Sequence, residues 1–289
     1  MADWNPFVRR ETHSVASIRA HKVLAILTWI LSVVVSVYYT ARAPDGVDHG
    51  GLVYRRIWKM NYLYPSAFTM NNTIAEIYWL VLFVLQVVFV LRLFSRTPDT
   101  ASAAANVSSH FVANNLLHAA FVALFVRSRF AWAELVLLLN LANLTALYFR
   151  HNATASRVSH VAVASGPLAW TFVAVYWNGA LMVRHPADLV PRVLGNVFIW
   201  SLLAFGVFFL VAYKDYTMGF NLSVLAAAIG VAQFKRQAVA LQWIFAFVIM
   251  GLLFVMTLAV VVPAWSGRAA PWKRSRPGAD PEHAPLLEG

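Results

Sequence analysis

The chain reads as an all-α, polytopic transmembrane helix bundle of about eight spans with both termini on one side, and three observations predict it. Hydrophobic residues fill 60% of its 289 positions and charged residues only 12%, about half the roughly 25% of a soluble domain. Eight stretches keep an apolar character over the ~20 residues a helix needs to cross a bilayer: 22–40, 74–95, 106–126, 131–149, 158–183, 193–213, 217–234 and 239–262. Lys and Arg gather at the edges of these runs, where cationic side chains meet anionic headgroups. The formal net charge of +11 is therefore a membrane-surface property. Membrane lipids are the expected partners, and nucleic acid is not.

The first run is followed by Ala41-Arg42-Ala43, which has the small-x-small form of a signal-peptide cleavage site. The run is longer than the ~7–15 residues of a signal h-region, and Pro44 follows the cut, so the segment is expected to stay as a signal-anchor. Eight spans return the chain to its starting side. Placing the termini in the cytosol puts thirteen of the 23 Lys and Arg on that side, the direction of the positive-inside rule. The organisation expected is a cytosolic N-terminal tail over 1–20, a transmembrane bundle over 21–263 and a flexible cytosolic C-terminal tail over 264–289. A loop of some thirty residues joins spans one and two, and its Gly, Pro, Asp and aromatic content predicts a segment lying on the membrane face. The remaining connections are short, so any function belongs inside the bundle or on its rims.

Span three opens with SSHFVANNLLH, polar residues at the start of a membrane helix. Residues four apart on a helix drift by ~40°, so His110, Asn114 and His118 form one stripe that Phe121 and Phe125 continue. On span four, Asn140, Asn143 and His151 share a face with apolar Leu147 between them, and Tyr148 sits on its flank. Only about four residues join the spans, so the two helices are antiparallel neighbours. Buried amides and imidazoles are costly against lipid, so the stripes face one another or a wet space. Interhelical hydrogen bonds are the plain reading. The functional one is a polar pocket open toward the cytosol, lined by His110, Asn114, His118, Asn140, Asn143, Tyr148 and His151.

His110 and His118 stand two turns apart, too far for one ion, so a metal or b-haem would need a partner such as His151 or His160. No metal or cofactor is expected. The absence of cysteine excludes thiol nucleophiles, iron–sulfur clusters, Cys-based zinc sites and disulfides. Of twelve acidic residues, only Glu76 and Glu134 fall within spans, both near one end. A proton relay usually places carboxylates deep in the bundle, and no phosphate-binding loop, dinucleotide fingerprint or nucleophile elbow occurs. Glu134 is expected to pair with Arg127 or Arg129, and Lys214 with Asp215 as a capping ion pair. Ser165-Gly166-Pro167 predicts a kink in span five that frees carbonyls for neighbours. Gly219, Ser223, Ala227 and Gly230 predict close helix packing along span seven.

The tails carry two short sorting-type motifs. Asn5-Pro6-Phe7 has the form bound by endocytic EH-domain adaptors, and Glu282 with Leu286-Leu287 fits an acidic dileucine signal. Both point to trafficking adaptors as partners and to an endomembrane, vacuolar or plasma-membrane location.

The runs NPFVRRETHS, SSHFVANNLLHAAFVALFVRSRFAWAELVLLLNLANLTALYFRH, SGPLAWTFVAVYW, VAYKDYTMGF and ALQWIFAFVIM resemble a fungal multi-pass membrane family labelled domain of unknown function 1774. The resemblance extends over roughly 5–262, leaving the C-terminal tail as the variable part. It implies a fungal source and the multi-pass class, and it brings no activity, ligand or catalytic residue. The leading expectation is a non-enzymatic carrier or binder of a small molecule or lipid, using the pocket between spans three and four. The alternatives are an intramembrane lipid hydrolase or acyl transferase relying on His110 or His118, and a structural or trafficking protein working through its tails.

Overall fold

A computed structural model of the chain describes residues 7, 10, 13–42, 46–47, 53–151, 157–186, 188–236 and 239–266. Among the described residues, eight helices are long and apolar enough to cross a membrane: Val15–Ala41, Asn72–Arg92, Pro98–Phe125, Phe130–Arg150, Arg157–Leu181, Leu189–Ala212, Tyr216–Arg236 and Gln242–Pro263. Each falls on one of the eight stretches expected from hydropathy. The ends of the bundle differ slightly from expectation, because the first helix already begins at Val15 and the last runs to Ser266.

Helix α1 (Val15–Val37) starts at Ser14, whose side chain accepts the Ser17 N–H. That satisfies one of the N–H groups every helix start leaves without an internal partner. A π-helical turn, Tyr38–Arg42, extends α1. A short antiparallel ladder follows, β1 (Gly46–Val47) against β2 (Val53–Tyr54), and then α2 (Ile57–Leu63). Helix α3 (Asn72–Arg92) is capped by Asn71, and α4 (Pro98–Phe125) opens on Pro98, which loses nothing in a first turn. Helix α5 is Phe130–His151.

Span five consists of α6 (Arg157–His160), a π-helical turn over Val161–Ser165, and α7 (Gly166–Leu181). The expected irregularity is therefore a π turn ending at Gly166-Pro167, and its carbonyls do serve neighbours. The Tyr78 hydroxyl donates to the Gly166 carbonyl at 2.8 Å and the Gln86 amide to that of Ala162 at 3.3 Å. Gly166 is required there, since a Cβ would come within 2.6 Å of the Val161 carbonyl oxygen. Span six is divided at Ile199, itself helical in backbone, into α8 (Leu189–Phe198) and α9 (Trp200–Ala212). Helices α10 (Tyr216–Arg236) and α11 (Gln242–Ser266) close the bundle.

Spans five and seven are central, with 72% and 67% of their apolar windows buried, against 17% and 22% for spans one and eight. The most extensive packing is α10 on α11, α4 on α5, and α1 on α4. The small residues of span seven explain the first contact: a Cβ at Gly230 would meet the Phe247 ring at 2.9 Å, and Ser223 donates to the Met250 carbonyl at 3.0 Å. Three tight connections each carry a non-glycine residue in the left-handed region, Ser128, Lys214 and Leu241.

The segment after α2 does more than lie on the membrane face. Ser66 to Met70 are all buried. The Asn61 amide donates to the Met70 carbonyl at 2.9 Å and accepts the Met70 N–H at 3.2 Å. Gln233 donates to the Ser66 carbonyl at 2.7 Å and Gln242 to that of Ala67 at 3.0 Å. Irregular backbone is tolerated inside a membrane protein only where protein groups satisfy it, and these amides do so.

Candidate functional site

The polar stripes of α4 and α5 meet. The Asn143 amide oxygen lies 2.8 Å from His110 Nδ1, and the Asn143 amide donates to the His110 carbonyl at 3.1 Å. The Asn140 amide donates to Asn114 Oδ1 at 3.0 Å and to Thr171 Oγ1 of α7 at 3.3 Å. His110, Asn114 and Asn140 are all buried. Phe7 and Arg10 stand at the end of the seam toward the start of α1. The Phe7 ring packs edge-on to His110 with centroids 4.9 Å apart, and Asn106 exchanges hydrogen bonds with the Arg10 backbone at 2.8 and 2.9 Å. An adaptor reading Phe7 would have to draw it off that ring. Asn5, Pro6, Glu282, Leu286 and Leu287 lie outside the described residues, as does the side chain of His151.

Tyr148 belongs to a different cluster. Its hydroxyl donates to Asp215 Oδ2 at 2.9 Å, and His160 Nε2 lies 2.9 Å from the same oxygen. The other oxygen, Oδ1, accepts the N–H groups of Thr217 and Met218 and the Thr217 hydroxyl. Asp215 thus caps α10 as expected, and its carboxylate also meets a group distant in sequence, His160 Nε2 at 2.9 Å. Burial pushes the Asp215 carboxyl up. The bonds from His160, Thr217 and Met218 outweigh that and hold it below the usual carboxylate range. Glu134 differs from expectation: its partner is the Asn178 amide at 2.8 Å, while Arg127 donates to the Ala123 carbonyl. Asn178 reaches the Phe130 carbonyl as well, which ties α7 to the start of α5.

His118 leaves the stripe. Its ring stacks on Trp79 of α3, centroids 4.1 Å apart, and Nε2 lies 3.1 Å from Ser36 Oγ of α1. Both groups stand at the wall of a cavity of about 380 Å³ framed by α1, α2, α3, α4 and α7. Its inner surface is aromatic, with Trp58, Trp79, Trp170, Trp177, Phe121 and Phe125 all contributing. Trp58 stacks on Trp177 at 6.0 Å, and Phe125 leans on Trp177 at 4.5 Å. The cavity reaches the surface between α1 and α3, where Val37, Ile77 and Leu80 of its lining are 56%, 56% and 64% exposed. The volume lies within the ~300–1,000 Å³ of small-molecule sites.

Of the residues singled out from the sequence, His118 and Phe121 with Phe125 line this cavity; His110, Asn114, Asn140 and Asn143 bond to one another and to α7, and Tyr148 serves Asp215. Sequence reasoning did not find Ser36, Trp58, Trp79, Trp170 or Trp177. Among the described residues no group of three or more His, Asp or Glu is placed to hold a metal ion.

These features define a class: a multi-pass helical protein with an aromatic-walled recess inside the bundle. Residues 192–287 match a family described as fungal proteins of unknown function, DUF1774. Over 123 residues the chain is 30% identical to an uncharacterized protein of Schizosaccharomyces pombe. That alignment covers 43% of this chain and 42% of the relative, so the chain spans under half the length of the curated relative it matches. No solved structure matches the chain. The fungal resemblance expected from the sequence is thus found, on a stretch shorter than 5–262 that also takes in most of the tail expected to vary. The matched stretch covers α9 to α11 and none of the residues lining the aromatic cavity.

Proposed function

We propose that the protein is a membrane-embedded binder or carrier of an elongated apolar molecule drawn from the bilayer. The guest is held in the cavity beside His118 rather than between the polar stripes. The observation that carries this reading is the aromatic recess, open at its side between α1 and α3. Side chains that normally fill a membrane core leave about 380 Å³ open there, although well-packed interiors keep few voids larger than a water molecule. A lipid tail or a planar hydrophobe gains dispersion contacts with four indole rings. His118 and Ser36 offer it a polar point of attachment on one side, and Thr73 and Glu76 stand elsewhere in the wall.

The test is mass spectrometry of molecules that remain with the protein after purification, compared with two variants. Val122→Phe fills the cavity from α4, and Leu80→Trp narrows its lipid-facing mouth. Wild type retains a stoichiometric apolar guest and both variants lose it. Identical lipid content in all three would overturn the proposal.

One contact favours a second reading, an intramembrane hydrolase or acyl transferase. Ser36 Oγ and His118 Nε2 at 3.1 Å have the reach of a nucleophile and its base. Labelling by a fluorophosphonate that disappears in Ser36→Ala would establish it. Equal labelling of wild type and variant would remove it.

A further inference from the structure

The lining of the aromatic cavity is not spread evenly through the bundle. On span one it runs from Ser36 to Ala41, on α4 from His118 to Phe125, and on span five it comprises Trp170 and Trp177. All of these stand beyond the middle of Val15–Ala41, Pro98–Phe125 and Arg157–Leu181, on the side away from the N-terminus. Helix α3 runs the opposite way, and there the lining occupies its start, Thr73 to Phe83. Phe83, the deepest of that set, stands about 17 Å along α3 at ~1.5 Å per residue, close to the middle of a ~30 Å hydrocarbon layer. The gap to the bilayer at Val37, Ile77 and Leu80 belongs to the same half.

Toward the termini each of these helices closes within one turn of the cavity. On α1, Ser32 is fully buried one turn before Ser36. On α3, Gln86 donates to the Ala162 carbonyl at 3.3 Å, and Phe89 packs on Phe111 of α4 with centroids 4.9 Å apart. On α4, Asn114 is held by Asn140 one turn before His118. On α7, the Gly166 carbonyl, one turn before Trp170, accepts the Tyr78 hydroxyl. The recess therefore opens sideways in one leaflet and ends blind near the midplane.

We propose that the cavity holds a single acyl chain of a phospholipid from the leaflet opposite the termini, and that the protein exchanges this lipid with that leaflet alone. The chain enters between α1 and α3 and lies along the indoles, while its headgroup stays at the membrane surface beside Thr73, in the first turn of α3. This rests on the reading that the cavity holds an apolar guest. A volume of about 380 Å³ sits at the low end of small-molecule sites, so the headgroup and the second chain remain outside. Passage onward to the other leaflet would have to part the Gln86 and Asn114 bonds and the Phe89–Phe111 contact together.

The indoles supply the readout. The protein is reconstituted in phosphatidylcholine vesicles in which protease cleavage of the C-terminal tail shows one orientation to dominate. Phosphatidylcholine brominated at mid-chain, which quenches nearby tryptophans, is then exchanged into one leaflet or the other. Quenching beyond that of Val122→Phe measures the chain in the cavity, since that variant fills the recess and keeps every tryptophan. Ile77→Phe, a change at an exposed position of the mouth, is the second reference should Val122→Phe fail to fold. Excess quenching is expected from bromines in the leaflet opposite the termini, with complete loss of the excess when they are in the other leaflet. Equal excess from both leaflets, or excess from the terminal side alone, would overturn the one-sided site and leave the apolar guest standing. No excess from either leaflet would overturn the acyl chain, and the apolar guest then stands or falls on the molecules that mass spectrometry finds retained.

Discussion

His110 and His118 are two turns apart on one helix, yet one is locked into a hydrogen-bonded seam and the other borders open space. The drift of ~40° per four residues moves the stripe by ~80° between them, from the face that meets α5 to the face that meets α1 and α3. The neighbours then decide the outcome. Against α5, α4 presents small and amide side chains that let two backbones approach and exchange hydrogen bonds. At the cavity it meets the indole rings of α2, α3 and α7, which are broad, rigid and packed against one another. Such rings cannot fold into the remaining space as flexible side chains would. A polar residue in a membrane helix therefore marks a site only when its opposite wall cannot close.

The largest expected effect lies at the far end of α5. Asp215→Ala leaves Tyr148, His160 and the start of α10 without their common acceptor, and removing one member of a buried pair costs about 3 kcal/mol. Thermal unfolding in detergent should show this as a clear loss of Tm. The same carboxylate gives a pH test. Its folded-state value lies below the unfolded one, so its stabilisation is complete above the ordinary carboxylate range of about pH 4. It is lost as pH falls through the lower folded value. Asp215→Asn should flatten the acid limb of the Tm–pH curve, and an unchanged limb would show that another group carries it.

A smaller effect is expected in the seam. Asn140→Leu removes two interhelical donors, to Asn114 and to Thr171. At about 0.6 kcal/mol for each such bond, the loss is about 1 kcal/mol. The double variant Asn114→Leu/Asn140→Leu should recover about 0.6 kcal/mol of coupling. Strict additivity of the two substitutions would show that the seam acts by packing alone.

The span pattern was legible because apolar length is a local property, and the polar seam was legible because amides at helical spacing are rare in lipid. The cavity was not. Trp79, Trp170 and Trp177 look in sequence like any aromatic residue of an apolar helix, and the void depends on distances between helices that no periodicity encodes. Asp215 shows the same limit. Adjacency suggests only Lys214, and gives no sign of His160, which lies 55 residues earlier in the chain and contacts the same carboxylate. The segment Ser66 to Met70 has the composition of a loop on the membrane face, and the amides that bond it inside, Gln233 and Gln242, are distant in sequence.

The smallest stability effect should belong to the residue closest to the proposed guest. His118→Phe keeps a planar ring against Trp79 and forfeits the contact with Ser36, a loss of about 0.5 kcal/mol or less. The seam residues are the reverse case: they contribute to folding and touch no guest. His118→Phe should therefore leave Tm nearly unchanged while weakening retention of any guest that bonds to the imidazole, and Asn140→Leu should lower Tm while leaving retention intact. Measuring both quantities in both variants separates binding from folding along α4. If His118→Phe lowers Tm as much as Asn140→Leu does, the imidazole is a second seam contact, and the division of α4 into a closed face and an open one fails.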